Sequence, residues 1–442
     1  MEYQLQSNDI ISLLPGSCRQ KISLINLGCV RNLVDSESVL NFLKIQGHDI
    51  VELDEADIVI LNTCGFILDA KKESVDTLID LAEMKNAGQI KKIIVLGCLS
   101  QLYAKELKED IPEIDAILGV QTLAKNQDIK VTAPILTPNY MSYIKICEGC
   151  YHKCSFCSIP QIKGQLVSRS VENIIDEFKY KVSSGIKEFN IIGQDVTAYG
   201  RDRKDDSNLV FLLQKVLQVL PKDVWVRLLY NYPSDVSDEL IDVINSDSRF
   251  CKYFDIPLQH INDDILNKMN RGMTKAQAID LYNKLRDKIE NVQLRTTFIV
   301  GFPSETDKQF EELMNFIEQY PFEKIGVFSY SREEQTTAEK MKEQISDELK
   351  ESRYNALMQK QKDISGVLQQ KMKNKVCRVL IEKDIGEKDG KNRDIFIGRS
   401  EYDAPDVDGC VYVHTNKNIA VGDIVDVRIF DALEYDLLGE IV

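Results

Sequence analysis

The chain has 442 residues, 43% of them hydrophobic and 28% charged, with a formal net charge of -15. That length is too great for one ordinary domain and predicts two to three, with the composition of a globular protein. No apolar run approaches the ~18 residues that span a bilayer, so no membrane partner is expected. The acidic balance tilts away from a surface that grips a nucleic-acid backbone, which needs Lys and Arg to displace counterions, and suits a basic partner. The first twenty residues show no basic-then-apolar export pattern, which predicts a cytoplasmic location. Eleven cysteines in such a chain read as metal ligands or reduced thiols rather than disulfides.

Residues 1–20 read as a short extension in which Cys18 is a bystander. Residues 21–135 show a βα rhythm, with strands over 21–27, 57–62 and 93–96 and helices over 35–46, 69–85 and about 100–108. Continuous Val/Ile/Leu runs alternating with amphipathic helices indicate a parallel sheet. Cys29, Cys64 and Cys98 each fall one or two residues beyond a strand, in LINLGC, VILNTC and IVLGC, separated by 35 and 34 residues. Ligands of open α/β sheets bind outside the carboxyl ends of the strands. A single cysteine there would be a small buried hydrophobe. Three in equivalent positions favour a three-thiolate cluster site.

Residues 136–335 carry a longer βα series, after a Pro-containing linker over 133–139. Strands are expected over 143–146, 188–192, 224–230, 253–258, 293–300 and 324–329, with helices between them. Six βα units predict an incomplete barrel with its chemistry at the C-terminal mouth. The loop after the first strand holds Cys150, Cys154 and Cys157 as C-x3-C-x2-C, in SYIKICEGCYHKCSFCSIPQIKG. Three thiolates this close can hold three corners of a cubic iron–sulfur cluster and leave one iron open. Zinc is the alternative, because Cys147/Cys150 and Cys154/Cys157 make two C-x2-C pairs. Only three residues separate those pairs, where zinc modules have a dozen or more. Cys147 itself reads as a spectator thiol at the strand end, ahead of a fourth ligand or a sulfur relay. Polar strand ends at Gly193, Gln194, Asp195, Gln259, His260, Gly301 and Glu305, with Arg227 inside a strand, fit a bound polar cofactor. Taken singly, His260 is as readily a satisfied structural histidine, and Asp195 and Glu305 surface or cap residues.

Residues 336–373 are charged, helical in pattern and connect domains. Residues 375–442 read as short strands over 376–382, 395–400, 410–414 and 423–429, as in a small β-barrel. They hold nine Lys/Arg against fifteen Asp/Glu. Cys377 and Cys410 have no metal spacing and are assigned to the core.

The cysteine run, with Phe156 before its last member, resembles the radical S-adenosylmethionine (SAM) enzymes. The strand-end trio, this triad and a C-terminal barrel, in that order, resemble the methylthiotransferases over nearly the whole chain after residue 20. LGCVRNLVDSE (27–37), NTCGFI (62–67), EGCYHKCSFCSIP (148–160) and VGFPSET (300–306) carry that resemblance. GQDVTAYG (193–200), YNYPSD (230–235), FDIPLQHINDDIL (254–266), MNRG (269–272) and GRSEYDAPDVDG (398–409) resemble the branch acting on ribosomal protein S12; the tRNA-modifying branch differs there.

The resemblance implies an α/β chain of three domains. These are an N-terminal parallel sheet of Rossmann or flavodoxin-like kind (21–135), an incomplete (β/α)6 radical SAM barrel with its connecting helical segment (136–373), and a small antiparallel OB-like TRAM barrel (374–442). It implies SAM and two [4Fe–4S] clusters. Cys150, Cys154 and Cys157 would hold the cluster that cleaves SAM, and Cys29, Cys64 and Cys98 an auxiliary cluster. Phe156, Gly193, Gln194, Arg227, Gln259 and Gly301 would contact SAM. The expected reaction adds a methylthio group to the β-carbon of an S12 aspartate, free or in the small subunit. A low-potential donor such as flavodoxin or ferredoxin would serve it, and nucleic acid is not the expected substrate. The competing readings are a tRNA adenosine methylthiotransferase and an iron–sulfur scaffold or electron carrier without SAM chemistry.

Overall fold

The computed structural model describes residues 13–14, 19–65, 67–120 and 136–442. Cys18 and the stretch 121–135, which ends at the first expected domain boundary, lie outside the described residues.

Five strands, β1 (Lys21–Asn26), β2 (Asp49–Ile50), β3 (Ile58–Thr63), β4 (Lys92–Gly97) and β5 (Ala116–Ile117), form the first sheet in the order β2-β1-β3-β4-β5. Every pairing is parallel. The inner strand β3 is buried along its whole length, as its unbroken apolar run requires. The edge strands β2 and β5 have two residues each, too short to leave a sequence pattern. Helices α1 (Val30–Ile45), α2 (Leu68–Asn86), α3 (Cys98–Leu102) and α4 (Ala104–Asp110) connect the strands. Helix α1 starts directly after Cys29, five residues before the expected start. Its inner face carries Asn32, Asp35, Ser36, Glu37 and Asn41, all buried, so apolar periodicity cannot mark its first turn.

The second unit contains β6 (Met141–Lys145), β7 (Cys147–Glu148), β8 (Val167–Ser168), β9 (Glu188–Ile192), β10 (Trp225–Leu228), β11 (Tyr253–Asp255), β12 (Gln293–Val300) and β13 (Lys324–Ser329). Two parallel sheets, β10-β9-β6 and β11-β12-β13, abut at β10 and β11 to make an open six-stranded barrel. β7 and β8 pair as a short antiparallel ribbon beside the cysteine loop. The surrounding helices are α5 (Ile159–Ile162), α6 (Val171–Ser183), α7 (Leu209–Val219), α8 (Asp238–Ser246), α9 (Asp263–Lys268), α10 (Lys275–Lys288) and α11 (Asp307–Gln319). Side-chain caps at Ser170, Asn208 and Ser237, and capping boxes at Thr274/Gln277 and Thr306/Gln309, satisfy their first amides.

Helix α12 (Asp347–Gln370) bridges the units: Gln361 reaches the Phe322 carbonyl at 3.1 Å and Gln370 the Ala432 carbonyl at 2.7 Å. The last unit is a closed barrel of β14 (Val376–Lys388), β15 (Asp394–Ser400), β16 (Val411–Thr415), β17 (Ile424–Ala432) and β18 (Leu437–Ile441), ordered β14-β15-β16-β18-β17. It has one strand more than the sequence pattern indicates, because β18 is short and interrupted by Gly439. The β16–β18 pair is parallel and the others are antiparallel. Cys377 is buried in this barrel's core, as expected, whereas Cys410 is only half-buried.

The β15–β16 loop enters the open barrel from the end where its strands begin. Asp408 accepts from Tyr253 Oη and Arg295 Nη1, both at 2.7 Å, and Asp403 pairs with Lys324 at 2.7 Å. Glu188, fully buried, takes Arg399 Nη2 at 2.5 Å from the closed barrel and Arg227 Nη2 at 3.2 Å from its own.

Candidate functional site

The first cysteine trio sits on three adjacent strand ends. Cys29 follows β1 and caps α1 in extended conformation, Cys64 follows β3, and Cys98 opens α3 directly after β4. Glycines permit the close approach. Gly28 has φ +102°, and a Cβ there would lie 2.8 Å from Cys64 Cβ; Gly97 has φ +104°, and a Cβ would lie 2.3 Å from the Thr63 carbonyl. Beneath the thiols runs an amide lattice. Asn62 Nδ2 donates to the Asn32 carbonyl and Ser36 Oγ, each at 2.9 Å, Asn32 Nδ2 to the Thr63 carbonyl at 3.1 Å, and Ser36 Oγ to Asn26 Oδ1 at 2.9 Å. Sequence reasoning missed these side chains, although asparagine recurs at the end of two apolar strands, in LINLGC and VILNTC.

The second trio lies on the loop after β7, and the segment 268–271 braces it. Ser155 N donates to the Met269 carbonyl at 2.9 Å, Ser155 Oγ to the Lys268 carbonyl at 2.8 Å, and Asn270 Nδ2 to the Lys153 carbonyl at 2.7 Å. Arg271 Nη1 stands 3.6 Å from Cys154 Sγ, with its guanidinium 4.1 Å over the Tyr232 ring.

Both trios fit a cluster better than a single ion. Tetrahedral zinc at about 2.3 Å from each sulfur sets the sulfurs roughly 3.8 Å apart. Among the described residues, the one group of three or more ligand residues whose donor atoms all lie within 4.8 Å is His152, Asp195 and Asp235, and it contains no cysteine. Cys147 stands apart: it is fully buried in the barrel core, with Sγ 3.5 Å from the Asp195 carbonyl. Burial pushes its thiol well above the usual value. That removes the paired C-x2-C set on which the zinc alternative rests.

Electrostatics separate the thiols. Burial, with neighbouring cysteines adding to it, pushes Cys98 and Cys150 up to about 12 and Cys157 to about 11. Held this way, they become thiolates only against strong positive charge, which metal supplies. Cys29 is solvent-exposed yet crowded. Burial would push it up, but Arg31, a backbone bond from Asn32 and Lys163 together bring it below the ordinary thiol value.

A cavity of about 200 Å³ opens over the second trio and reaches the first domain. Its walls include Cys150, Cys154, Cys157, His152, Phe156, Ile159, Gln194, Asp195, Tyr230, Tyr232, Gln259 and Arg271, with Arg31 as the contribution of the first domain. His152 Nε2 bonds Asp195 at 2.9 Å and stacks on Tyr232 at 3.5 Å. Tyr230 (φ 67°) and Gln259 (φ 72°) hold left-handed backbone, and such strain concentrates at functional sites. Behind the cavity, Lys145 and Lys163 are clamped by Asp35 of α1 and Glu148 of β7; Lys163 lies 3.0 Å from Asp35, and Gln194 Nε2 lies 2.5 Å from Glu148. All four ionic side chains are at most 4% exposed.

Of the six SAM contacts the sequence suggested, Phe156, Gln194 and Gln259 line this cavity. Gly193 borders it, its carbonyl accepting from Arg31 Nη1 at 3.1 Å. Arg227 is a correction: Glu188 and the Glu401 carbonyl engage it at the opposite end of the barrel, because its side chain points into the barrel toward the β15–β16 loop. Gly301 is not among the residues that line the cavity; it packs on α12, where a Cβ would lie 2.3 Å from Lys350 Cγ. His260 and Glu305 form a fully buried pair at 3.1 Å, joined by Arg353, and read as structural. Arg31, His152, Tyr230, Tyr232 and Arg271 are among the cavity residues to which sequence reasoning assigned no role. They come from four separate segments.

Comparisons with known proteins agree with this architecture. Residues 144–317 match the radical SAM superfamily, residues 21–119 the uncharacterized protein family UPF0004, and residues 375–442 the TRAM domain. The chain is 41% identical to the ribosomal protein uS12 methylthiotransferase RimO of Clostridioides difficile, over 96% of this chain and 99% of that one. It is 42% identical to the protein of that name from Syntrophotalea carbinolica, over 96% and 97%. The radical SAM methyltransferase TsrM of Kitasatospora setae, solved with cobalamin and a [4Fe–4S] cluster, shares the fold. Its TM-score is 0.52 at 13% identity, over 71% of this chain and 75% of that one.

Proposed function

Because the chain belongs to the uS12 methylthiotransferase (RimO) family of radical SAM enzymes, we propose that it adds a methylthio group to the β-carbon of one aspartate of ribosomal protein S12. The observation that carries this reading is a cavity lined by the second cysteine trio into which Arg31, two residues after Cys29 of the first trio, reaches from the first domain. In this reading Cys150, Cys154 and Cys157 hold the [4Fe–4S] cluster at which SAM binds, and Cys29, Cys64 and Cys98 hold a second. When bound, SAM and the clusters would supply radical hydrogen abstraction, the sulfur and the methyl group, chemistry that no side chain performs on an unactivated carbon.

The chain's own residues bind, orient and insulate. Phe156, Ile159, Tyr230 and Tyr232 wall the cavity and exclude water, while Gln194 and Gln259 offer polar contacts to SAM. Arg31 and Lys163 compensate charge near Cys29 and Cys98. Asp195 fixes the His152 ring through Nε2. Residues 21–135 serve as the sulfur-carrying domain, 136–373 as the SAM-cleaving domain and 374–442 as the S12-docking TRAM domain. A cytoplasmic flavodoxin or ferredoxin supplies electrons. Among the described residues no helix is long and apolar enough to cross a membrane.

Mass spectrometry of S12 from cells with and without the gene tests the reading. A methylthio increment on one aspartate, lost on deletion, is the expected result. Unchanged S12 in both strains overturns it and directs analysis to tRNA nucleosides.

A further inference from the structure

We propose that Arg31 is the residue that recognises the carboxylate of the target aspartate. This rests on the substrate reading above and extends it to a contact. A reaction at a β-carbon places the side-chain carboxylate one bond from the reacting atom. The cavity therefore has to hold an anion beside the point where the sulfur is delivered.

Two arginines line the cavity. Arg271 is committed to the second trio: its Nη1 lies 3.6 Å from Cys154 Sγ, its Nη2 donates to the Pro257 carbonyl at 2.5 Å, and it stacks on Tyr232. Arg31 belongs to the other side. It lies two residues after Cys29 and, among the described residues, is the one first-domain residue that lines the cavity. One amine donates to the Gly193 carbonyl at 3.1 Å, the guanidinium sits 4.4 Å from the Tyr230 ring centroid, on a residue whose own backbone is left-handed, and the side chain also hydrogen-bonds the Cys29 thiol. That fixes the plane of the fork and leaves donors over.

Among the described residues, no carboxylate oxygen lies within 4 Å of Arg31. The buried cations elsewhere, Lys145, Lys163, Arg227, Arg295, Arg353 and Arg399, each have a carboxylate at that distance. An oriented guanidinium on a cavity wall, bonded to a thiol and a carbonyl but to no carboxylate among the described residues, matches a carboxylate presented from outside. Asp195 lies on the same wall, but its oxygens are engaged by His152 and Thr197.

The test is equilibrium binding of S12, with its modified aspartate intact or changed to Asn, to the cluster-loaded full chain. Arg31→Gln and Arg31→Lys variants are compared with wild type, and iron content and circular dichroism are recorded for each. Wild type is expected to prefer the Asp form by about 10-fold or more, the scale of a charge-assisted bond. Arg31→Gln is expected to bind both forms as wild type binds the Asn form, and Arg31→Lys to restore part of the preference. An unchanged Asp/Asn ratio in Arg31→Gln overturns the inference. So does loss of binding to both forms, or weakened SAM binding with the ratio intact, which would assign Arg31 to the site as a whole or to the cofactor. Failure of wild type to bind either S12 form overturns the substrate reading instead, and with it this extension.

Discussion

At the scale of single residues, the ten cysteines among the described residues have different fates because their surroundings differ. Cys147, three residues before Cys150, is sealed in the barrel core, while Cys150, Cys154 and Cys157 line the cavity. Cys150→Ala should therefore abolish 5'-deoxyadenosine formation, read by chromatography after incubation with SAM and reductant. Cys64→Ala should lose one cluster's paramagnetic signal. Cys147→Ala should keep wild-type iron content and SAM cleavage and lose about 1 kcal/mol of stability in a urea melt, the scale of a small buried truncation. Retained SAM cleavage in the first variant, an unchanged spectrum in the second or missing iron in the third would each break the corresponding assignment. The cysteine positions were legible in the sequence because spacing and strand ends are local properties. The left-handed backbone at Tyr230 and Gln259 was not, since neither residue type announces a positive φ.

At the scale of an element, helix α1 gathers three tasks in two turns. Cys29 caps it, Arg31 enters the cavity, and Asp35 and Glu37 reach into the second domain, where Lys145, Lys163 and Lys181 meet them. The stretch LGCVRNLVDSE was visible as a resemblance, but its acids were given no physical role. Their partners lie more than one hundred residues away. Asp35→Asn leaves two buried lysines to share Glu148 and should cost about 3–5 kcal/mol, the range for breaking a buried ion pair. Urea unfolding of the full chain measures this. Thr306→Ala, which removes only a capping box, should cost about 1 kcal/mol in the same assay. Equal losses for the two would mean that the α1 contact is solvated rather than buried.

At the scale of the whole molecule, the closed barrel plugs the open one. The motif GRSEYDAPDVDG carries Arg399, Asp403 and Asp408, whose partners Glu188, Lys324 and Arg295 lie in the central barrel. Part of the acidic excess of the last domain is thus spent inside the molecule and is not available to a basic partner. Burial would raise the Glu188 carboxyl, but Arg399 and Arg227 hold it below its ordinary value. A lowered folded value means that its stabilisation is complete above the unfolded value of about 4.3 and is lost as pH falls through the folded value. Wild type should therefore weaken in acid below about pH 4.3. Glu188→Gln should be less stable at pH 7 by about 3–5 kcal/mol and should show a shallower acid loss. Parallel acid profiles in urea melts would remove Glu188 from this role. The sequence by itself determined the order of the three units, the strand ends that carry one trio and the loop that carries the other, because apolar runs, turns and ligand spacing are written locally. Only the tertiary structure decided that Arg227 points away from the cavity, that Arg31 faces into it and that the acidic loop is an internal plug. Those facts depend on which way side chains point once distant segments pack, and burial compels each charge to find a partner wherever the fold supplies one.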